Sequence, residues 1–171
     1  KGRDNMDSRV PLSVQEILSK YMSLFRERIP DTLEGLYLHG SIALNAYING
    51  SSDIDFIAVI KRHLTDVELG ILSEIHQDLI SKYKTIMDGC YILKGEIGIR
   101  QNEIKKCISV NLGKVTWESD VINPVTWWIL RDKGISIMGP EINSFDFEID
   151  EDDLTNYVLN NMNTYWLNRM N

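Results

Sequence analysis

The spacing of apolar residues changes along the chain from helical to strand-like and back, so it predicts an alternation of helices and strands. A first helix is expected to begin with a capping box from Ser13 to Glu16 and to end before Pro30. Its apolar residues recur at intervals of one, three and four residues: Val14, Ile17, Leu18, Tyr21, Met22 and Phe25. A second capping box, from Thr65 to Glu68, predicts another helix there. The apolar stripe of that helix is Leu72, Ile75, Leu79 and Tyr83.

Strand-like segments lie between these helices and after them. A strand is expected over Gly35 to Leu38, and another follows Asp53 with apolar residues on both faces, as is typical of a central strand covered by helices. The apolar run 85–93 predicts a third strand. Further strands are expected over Cys107 to Leu112, before a turn near Gly113, and over Ile135 to Met138.

Two more helices are predicted in the last third of the chain. Asn123-Pro124 begins one of them, with proline near its first position, and Gly134 ends it. The acidic stretch 146–153 is interpreted as a linker and helix start. The final helix follows, with apolar residues at helical spacing: Leu154, Tyr157, Val158, Met162, Tyr165 and Trp166.

The candidate chemistry lies at the end of the first strand and the start of the second. Gly40 allows a close backbone approach to a phosphate, and Ser41 is expected to open a helix over Ile42 to Ile48, ended by Gly50, whose first amides can bind an anion. Eleven residues after Ser41 comes Asp53-Ile54-Asp55. Residues two apart in a strand point the same way, so both carboxylates share one side. This pair predicts a divalent-cation site.

Magnesium fits that pair because it prefers oxygen ligands and commonly takes one or two carboxylates together with substrate phosphates. Like charges about 4 Å apart repel by ~1 kcal/mol in water and ~4 kcal/mol at an effective dielectric near 20. A bare triphosphate would therefore be repelled by Asp53 and Asp55. The pattern predicts a nucleotide bound together with Mg²⁺, with Gly40 and Ser41 gripping its phosphates.

These residues resemble a known signature. Gly40-Ser41 followed by Asp53-Ile54-Asp55 is similar to the motif of the DNA polymerase beta nucleotidyltransferase superfamily, and 36–41 with 52–56 resembles the aminoglycoside adenylyltransferases that modify streptomycin and spectinomycin. Later segments, 127–130, 134–140, 153–154 and 165–167, follow in an order similar to that family. The resemblance implies an α+β nucleotidyltransferase fold: a mixed central sheet flanked by helices, followed by the start of a helical C-terminal region.

The same resemblance implies a third carboxylate on a neighbouring strand, which joins the metal site or acts as a base. Asp88 is the best match, although the family often has the longer Glu there. Glu96 and Glu103 are fallback candidates in segments more typical of loops. The alternative interpretation of Asp88 is a hairpin turn with Gly89, because Asp-Gly favours such turns.

Composition narrows the class of partner. The 171 residues, 43% hydrophobic, are enough for one domain and the beginning of another. A formal net charge of -7 argues against a long nucleic-acid substrate and favours a cationic small molecule. Two cysteines without paired spacing predict free thiols, and no apolar run is long enough to span a membrane, so a cytoplasmic location is expected.

Three segments are expected along the chain. Residues 1–11 are expected to be disordered or left from an engineered start, 12–142 to form the nucleotidyltransferase domain, and 143–171 to form an acidic linker and the first helix of a truncated C-terminal helical domain. The apolar stripe of that last helix has no predicted partner in the sequence. We therefore expect either more of a helical domain or a homodimer through this helix.

The resulting hypothesis is Mg²⁺-dependent transfer of AMP from ATP to a hydroxyl of a small acceptor, an aminoglycoside antibiotic. A protein side chain or an RNA end as acceptor, and a non-catalytic nucleotide-binding module acting through the last helix, are the alternatives. His39 is interpreted as a core residue, and His63 and His76 as surface residues. Trp117, Trp127 and Trp128 could stack on a ligand ring, although helical spacing favours a core position for Trp127 or Trp128.

Overall fold

A computed structural model of the chain describes residues 6–170, apart from the side chain of Trp166. Its centre is a six-stranded sheet. The strands are β1 (Leu33–Leu38), β2 (Ile54–Ile60), β3 (Met87–Leu93), β4 (Cys107–Asn111), β5 (Lys114–Glu118) and β6 (Ile135–Met138). Their spatial order is β5-β4-β3-β2-β1-β6. The pairing of β2 with β3 is parallel and the other four are antiparallel, so the sheet is mixed, as predicted.

Helices cover both faces of this sheet. They are α1 (Leu12–Arg28), α2 (Gly40–Ala43), α3 (Asp66–Tyr83), α4 (Pro124–Lys133) and α5 (Glu151–Met170). Three short 3-10 helices lie at Lys94–Glu96, Gln101–Glu103 and Ile142–Ser144. α1 and α3 pack on one face of the sheet through a large apolar cluster that includes Phe25, Phe56 and Tyr91. A smaller cluster on the opposite face contains Ile57, Cys90 and Trp127.

Several local signals predicted the element ends correctly. Thr65 and Glu68 form the predicted capping box at the start of α3. Asn123 accepts a hydrogen bond from the Thr126 amide at the start of α4, and Gly134 follows its last residue. The capping box and the Asn123 side chain each accept a hydrogen bond from a first-turn amide, which has no partner within its helix.

Other local predictions were wrong. α1 begins at Leu12 after Pro11, without a side-chain cap, so the predicted box from Ser13 to Glu16 does not form. The helix predicted over Ile42 to Ile48 is a single turn, Gly40–Ala43, and Gly50 lies in a later turn with a φ of 80°. Asn45 already has a positive φ of 55°, which breaks the helical path.

The β4–β5 hairpin includes a strand that the sequence pattern did not predict. Leu112 and Gly113 form its two-residue turn, with φ values of 50° and 76°. Two consecutive positive φ values match the twist of a tight hairpin. β5 was missed because it lies at the edge of the sheet, where its half-exposed side chains give little apolar periodicity.

The segments before and after the main sheet are better anchored than the sequence suggested. Residues 1–5 lie outside the described part of the chain, but within 6–11 the expected disorder is wrong: Val10 is buried, and Arg9 donates hydrogen bonds to the carbonyls of Ala43 and Lys133. The predicted linker also packs on the sheet through Phe145, Phe147 and Ile149. Within residues 6–170, none of the helices combines the length and the apolar character needed to cross a bilayer.

Candidate functional site

The turn after β1 lies directly against Asp55 because β1 and β2 are antiparallel. Leu38 pairs with Phe56, and the next amide along, that of His39, donates to the carbonyl of Asp55 at 3.1 Å. Gly40 then turns with a φ of 62°. A Cβ at Gly40 would lie 2.0 Å from Asp55 Oδ2, so only glycine fits both the backbone conformation and the space.

The parallel pairing of β2 and β3 brings a second carboxylate beside the first. Asp55 and Asp88 occupy paired positions of the two strands. Paired residues of adjacent strands point to the same face of a sheet. Asp88 thus lies within β3 and not in a hairpin turn with Gly89, so the alternative interpretation of this Asp-Gly pair is wrong. Asp53 lies immediately before β2, at the same end of the strand.

Burial and neighbouring negative charge raise the pKa values of Asp55 and Asp88. Burial, followed by the charges of Asp53 and Asp88, raises the pKa of Asp55 to about 6, although a hydrogen bond from the Ser41 amide opposes the shift. Burial and the Asp53 charge also raise the pKa of Asp88. Negative charge is thus concentrated where β2 and β3 begin, and a cation bound there would reduce the repulsion between the carboxylates.

Asp88 is held in place by the β4–β5 hairpin. The Leu112 amide donates to Asp88 Oδ1 at 3.1 Å. This bond leaves Asp88 Oδ2 available to a ligand, since no other hydrogen bond to it is present among residues 6–170. Sequence reasoning missed the contribution of Leu112, because a backbone amide carries no mark in the sequence.

Two buried hydroxyls near these residues have no hydrogen-bond partner within the described chain: Ser41 Oγ and Tyr47 Oη. A buried hydroxyl without a partner is unfavourable, and such groups are commonly explained by an absent ligand, ion or water. The Ser41 amide, expected to be free for an anion, also lowers the pKa of the Asp55 carboxyl, against the larger effects of burial and neighbouring charge. The Ser41 hydroxyl is buried, and its hydrogen-bonding capacity is unused within the described residues.

A cavity of about 180 Å³ opens beside Asp55 and Asp88. His39, Ser109, Asn111 and Thr126 supply its other polar walls. Its remaining lining is Phe56, Ile57, Gly89, Cys90, Val110, Val121 and Ile122. No lysine or arginine lines it, so its charge is set by the two carboxylates. Only Asp55 and Asp88 of this lining were predicted as site residues.

His39, predicted to be a core residue, is instead half-buried and lines this cavity. Burial lowers its pKa to about 4, against a weaker raising effect of a hydrogen bond to the Phe56 carbonyl, so the imidazole is neutral at neutral pH. His76, predicted at the surface, is buried, and its Nε2 lies 2.9 Å from the Tyr91 hydroxyl. His63 is exposed, as predicted.

The fallback carboxylates do not reach the site. Glu96 accepts a hydrogen bond from the Leu93 amide, beyond the end of β3 opposite to Asp88, and Glu103 is exposed in a 3-10 helix. Trp127 is buried and donates to the Ile99 carbonyl at 2.7 Å, which confirms a core position for it, whereas Trp128 and Trp117 are partly exposed. None of these three tryptophans lines the cavity.

The carboxylates fit Mg²⁺ by their chemistry and by their mutual repulsion. Over residues 6–170, no three His, Cys, Asp or Glu side chains converge closely enough to form a ready-made metal cage. Two carboxylates and the Ser41 hydroxyl are nonetheless the kind of partial ligand set that Mg²⁺ completes with substrate phosphates and water. The site residues are therefore compatible with this ion when a nucleotide accompanies it.

No protein-family model matches the sequence, and no curated protein matches it either. Among solved structures, the chain is similar to the spectinomycin adenyltransferase AAD(9) from Enterococcus faecialis, determined with ATP and spectinomycin, with a TM-score of 0.61 and 19% identity over 82% of this chain. The chain has the nucleotidyltransferase fold. The match spans 62% of the AAD(9) chain, less than two thirds of its length.

Weaker similarities are found to toxin-antitoxin structures. One was determined with AMP-PNP and gives a TM-score of 0.42 at 17% identity, covering 89% of both chains. Another contains tri-AMPylated Shewanella oneidensis HEPN toxin in complex with MNT antitoxin, with a TM-score of 0.40 at 15% identity over 92% of this chain and 98% of that one. The fold assignment rests on the AAD(9) comparison, and the site assignments rest on the geometry of this chain.

Proposed function

We propose that this nucleotidyltransferase-fold chain transfers AMP from ATP, with Mg²⁺, to a hydroxyl of a small cationic acceptor, an aminoglycoside. The observation that carries the proposal is the juxtaposition of three features. Asp55 and Asp88 pair across β2 and β3, and Gly40 packs against Asp55 in a conformation that excludes a side chain. The unpartnered hydroxyl of Ser41 follows directly in the chain.

In this proposal Asp53 and Asp55 hold Mg²⁺, Asp88 acts on the acceptor hydroxyl beside it, and Gly40 and Ser41 hold the ATP phosphates. Bound there, Mg²⁺ would neutralise the triphosphate and stabilise the entering and leaving oxygens. The Ser41 hydroxyl donates to a phosphate oxygen, and Gly40 lets the backbone approach it. Neutral His39 and the hydroxyls and amide of Ser109, Thr126 and Asn111 line the cavity that we assign to the acceptor.

Asp88 is the base in this scheme. Its Oδ1 is fixed by the Leu112 amide, so Oδ2 takes the proton of the acceptor hydroxyl as that oxygen attacks the α-phosphorus and pyrophosphate leaves. Burial raises the pKa of Asp88, which makes the carboxylate a better proton acceptor than an exposed one. The carboxylates also attract a cationic acceptor into a cavity that has no competing lysine or arginine.

Two observations support an aminoglycoside as the acceptor. AAD(9), whose structure contains ATP and spectinomycin, shares this fold. The net charge of -7 and the acidic cavity suit a polycationic ligand. Because the chain covers only part of the AAD(9) length, the acceptor is proposed for whatever full protein carries this domain.

The test measures pyrophosphate release from ATP and Mg²⁺ with a panel that includes streptomycin and spectinomycin. Asp88→Asn is expected to lower the rate by about 10²–10⁴-fold, the range for a lost general base, and Asp55→Asn by at least as much. Asp78→Asn, an exposed carboxylate of α3, is the matched control and should leave the rate unchanged.

Asp55→Asn also has an expected effect on stability that separates damage to the site from damage to the fold. Because the folded-state pKa is raised above the ordinary value of 3.8, the folded chain binds more protons than the unfolded chain between those two pKa values. The ionised carboxylate therefore destabilises the fold above pH 6. Asp55→Asn should raise the free energy of unfolding by roughly 1–2 kcal/mol at pH 7 and change it little near pH 4.

The proposal fails if Asp55→Asn and Asp88→Asn retain the wild-type rate. If no member of the panel supports pyrophosphate release, the aminoglycoside acceptor is wrong, and transfer of label from α-labelled ATP to protein or RNA tests the other acceptors. ATP that fails to stabilise the chain against thermal unfolding in the presence of Mg²⁺ would contradict nucleotide binding itself.

A further inference from the structure

α5 projects an apolar stripe that the rest of the described chain leaves largely uncovered. Val158, Met162 and Tyr165 expose 41%, 51% and 54% of their surface, and only Leu154 and Tyr157 are half-buried. A contiguous exposed stripe of this kind marks an interaction surface.

Charged residues of opposite sign close the two ends of this stripe. At about 100° per residue, one side of the helix carries Glu151, Leu154, Val158, Met162, Tyr165 and Arg169 within a narrow arc. The first turn adds Asp152 and Asp153, whereas Arg169 is the basic residue of the last turn and its guanidinium lies over the Tyr165 ring. The order along the stripe is thus acidic, apolar, basic.

A groove beside the first half of α5 continues the apolar surface. It has a volume of about 440 Å³ and lies between α4 and α5. Its lining is Val125, Trp128, Leu154, Thr155, Val158 and Leu159. Trp128, 43% exposed, provides a broad aromatic wall. The α5 residues that line this groove all belong to the first half of the helix, so the helix offers a receptor half and a ligand half.

We infer that this surface binds a second copy of the same chain, with the two α5 helices antiparallel. In that arrangement the centre of the stripe pairs with itself, Val158 faces Met162 of the second copy, and each C-terminal half enters the groove of the other chain. Arg169 of one copy then lies beside Glu151, Asp152 and Asp153 of the other. The arrangement is isologous, so each contact occurs twice.

The charges at the two ends of α5 favour the antiparallel arrangement over the parallel one. A parallel pair would place the acidic first turns side by side and Arg169 against Arg169, whereas the antiparallel pair matches opposite charges and opposed helix dipoles at both ends. The self-complementary stripe therefore fits a second copy of the chain, whether or not the chain transfers nucleotides.

The first test is the molar mass of the full chain by light scattering over a wide concentration range. The wild-type chain is expected to be a dimer that dissociates on dilution, and Val158→Glu with Met162→Glu to be a monomer. Asn156→Glu with Asn160→Glu places the same two charges, at the same spacing, on the opposite exposed side of α5 and should remain dimeric. Helical content by circular dichroism should match among the three proteins.

The second test determines the orientation. Glu151→Cys and Arg169→Cys, mixed under mild oxidation, should form a disulfide between the two variants, while each variant alone should not cross-link. The native Cys90 and Cys107 are buried and do not compete. Arg169→Glu should weaken the dimer by roughly tenfold, because two symmetry-related contacts are reversed, and adding Glu151→Arg should restore it.

A monomer at every concentration, or a dimer that the Val158 and Met162 substitutions leave intact, would overturn the proposal. Efficient cross-linking of either cysteine variant with itself would overturn the antiparallel arrangement. Loss of nucleotidyl transfer leaves these readouts unchanged, so the two proposals fail separately.

Discussion

Among single residues, Gly40 has the most direct influence on the geometry of the candidate site. It combines a positive φ with the shortest approach to a site carboxylate: an added Cβ would lie 2.0 Å from Asp55 Oδ2 and 2.9 Å from Asp55 Cβ. The neighbour, Asp55, is a half-buried residue of β2 that cannot move aside without disturbing the strand. The sequence motif gave the identity of these residues, and the structure explains why a glycine is required there.

Gly40→Ala is expected to disable the site and to destabilise the fold. The left-handed backbone alone should lower the free energy of unfolding by about 1 kcal/mol, and displacement of Asp55 should lower it further. Gly70→Ala is the control, because Gly70 is exposed within α3 and its added Cβ meets nothing within 4 Å. That variant should be stabilised by up to about 1 kcal/mol. Urea unfolding measures both, and an unchanged Gly40→Ala protein would contradict the packing described for the turn.

At the scale of elements, the β4–β5 hairpin sets the position of the candidate base. The Leu112 amide in its turn donates to Asp88 Oδ1, so a hairpin at one edge of the sheet fixes a side chain of the neighbouring strand β3. The sequence predicted β4 and a turn near Gly113 but not β5, and therefore not this contact. Leu112 adopts a φ of 50° although it carries a side chain, so the hairpin contains local strain at the point where it serves the site.

Leu112→Asn is expected to stabilise the chain by roughly 0.5–1 kcal/mol, because Asn-Gly is favoured in a turn with two positive φ values. Leu112 is 67% exposed, so little packing is lost, and the amide that holds Asp88 remains. Catalytic rate should therefore not change. Leu112→Val, a β-branched residue at the same φ, should be destabilised instead. Thermal unfolding of the two variants checks the order, and the reverse order would refute the strain.

At the scale of the whole molecule, the two faces of the sheet have different tasks. The face covered by α1 and α3 holds most of the core. Three polar groups are buried in it: the Tyr21 hydroxyl lies 2.7 Å from the Tyr91 hydroxyl, and the Tyr91 hydroxyl lies 2.9 Å from His76 Nε2. The opposite face carries Asp55, Asp88 and the cavity. Burial lowers the pKa of His76 to about 3, so protonation of this residue opposes folding.

His76 is expected to make the fold sensitive to acid. Its pKa is about 3 in the folded chain and near 6.5 in the unfolded chain, so the unfolded chain binds more protons between these values and stability falls as the pH drops through this window. The fall attributable to His76 should be about 2 kcal/mol between pH 7 and pH 4.5. His39 acts in the same direction and Asp55 in the opposite one.

His76→Gln should flatten the pH dependence of the free energy of unfolding, whatever it does to stability at pH 7. His63→Gln, which replaces an exposed histidine, is the control and should keep the wild-type slope. Urea unfolding at several pH values measures the slopes. Equal slopes for the wild-type and His76→Gln proteins would show that another group governs the acid response.

The sequence by itself determined the order and type of most elements, because apolar periodicity, capping residues and glycine or proline stops act over a few neighbouring residues. It also pointed to the Gly40-Ser41 turn with Asp53 and Asp55, because the spacing of that motif reflects a strand, a turn and a second strand, whereas Asp88 was predicted only from the resemblance to a known family. It placed His76 at the surface and missed β5, because burial and edge pairing are decided by distant segments.

Only the tertiary structure decided how these residues act together. The register of β2 with β3 sets Asp55 beside Asp88, the antiparallel return of β2 brings Gly40 against Asp55, and the β4–β5 turn fixes Asp88. Each is a contact between segments far apart in the chain. Such contacts depend on the summed packing of the sheet, which no local pattern encodes.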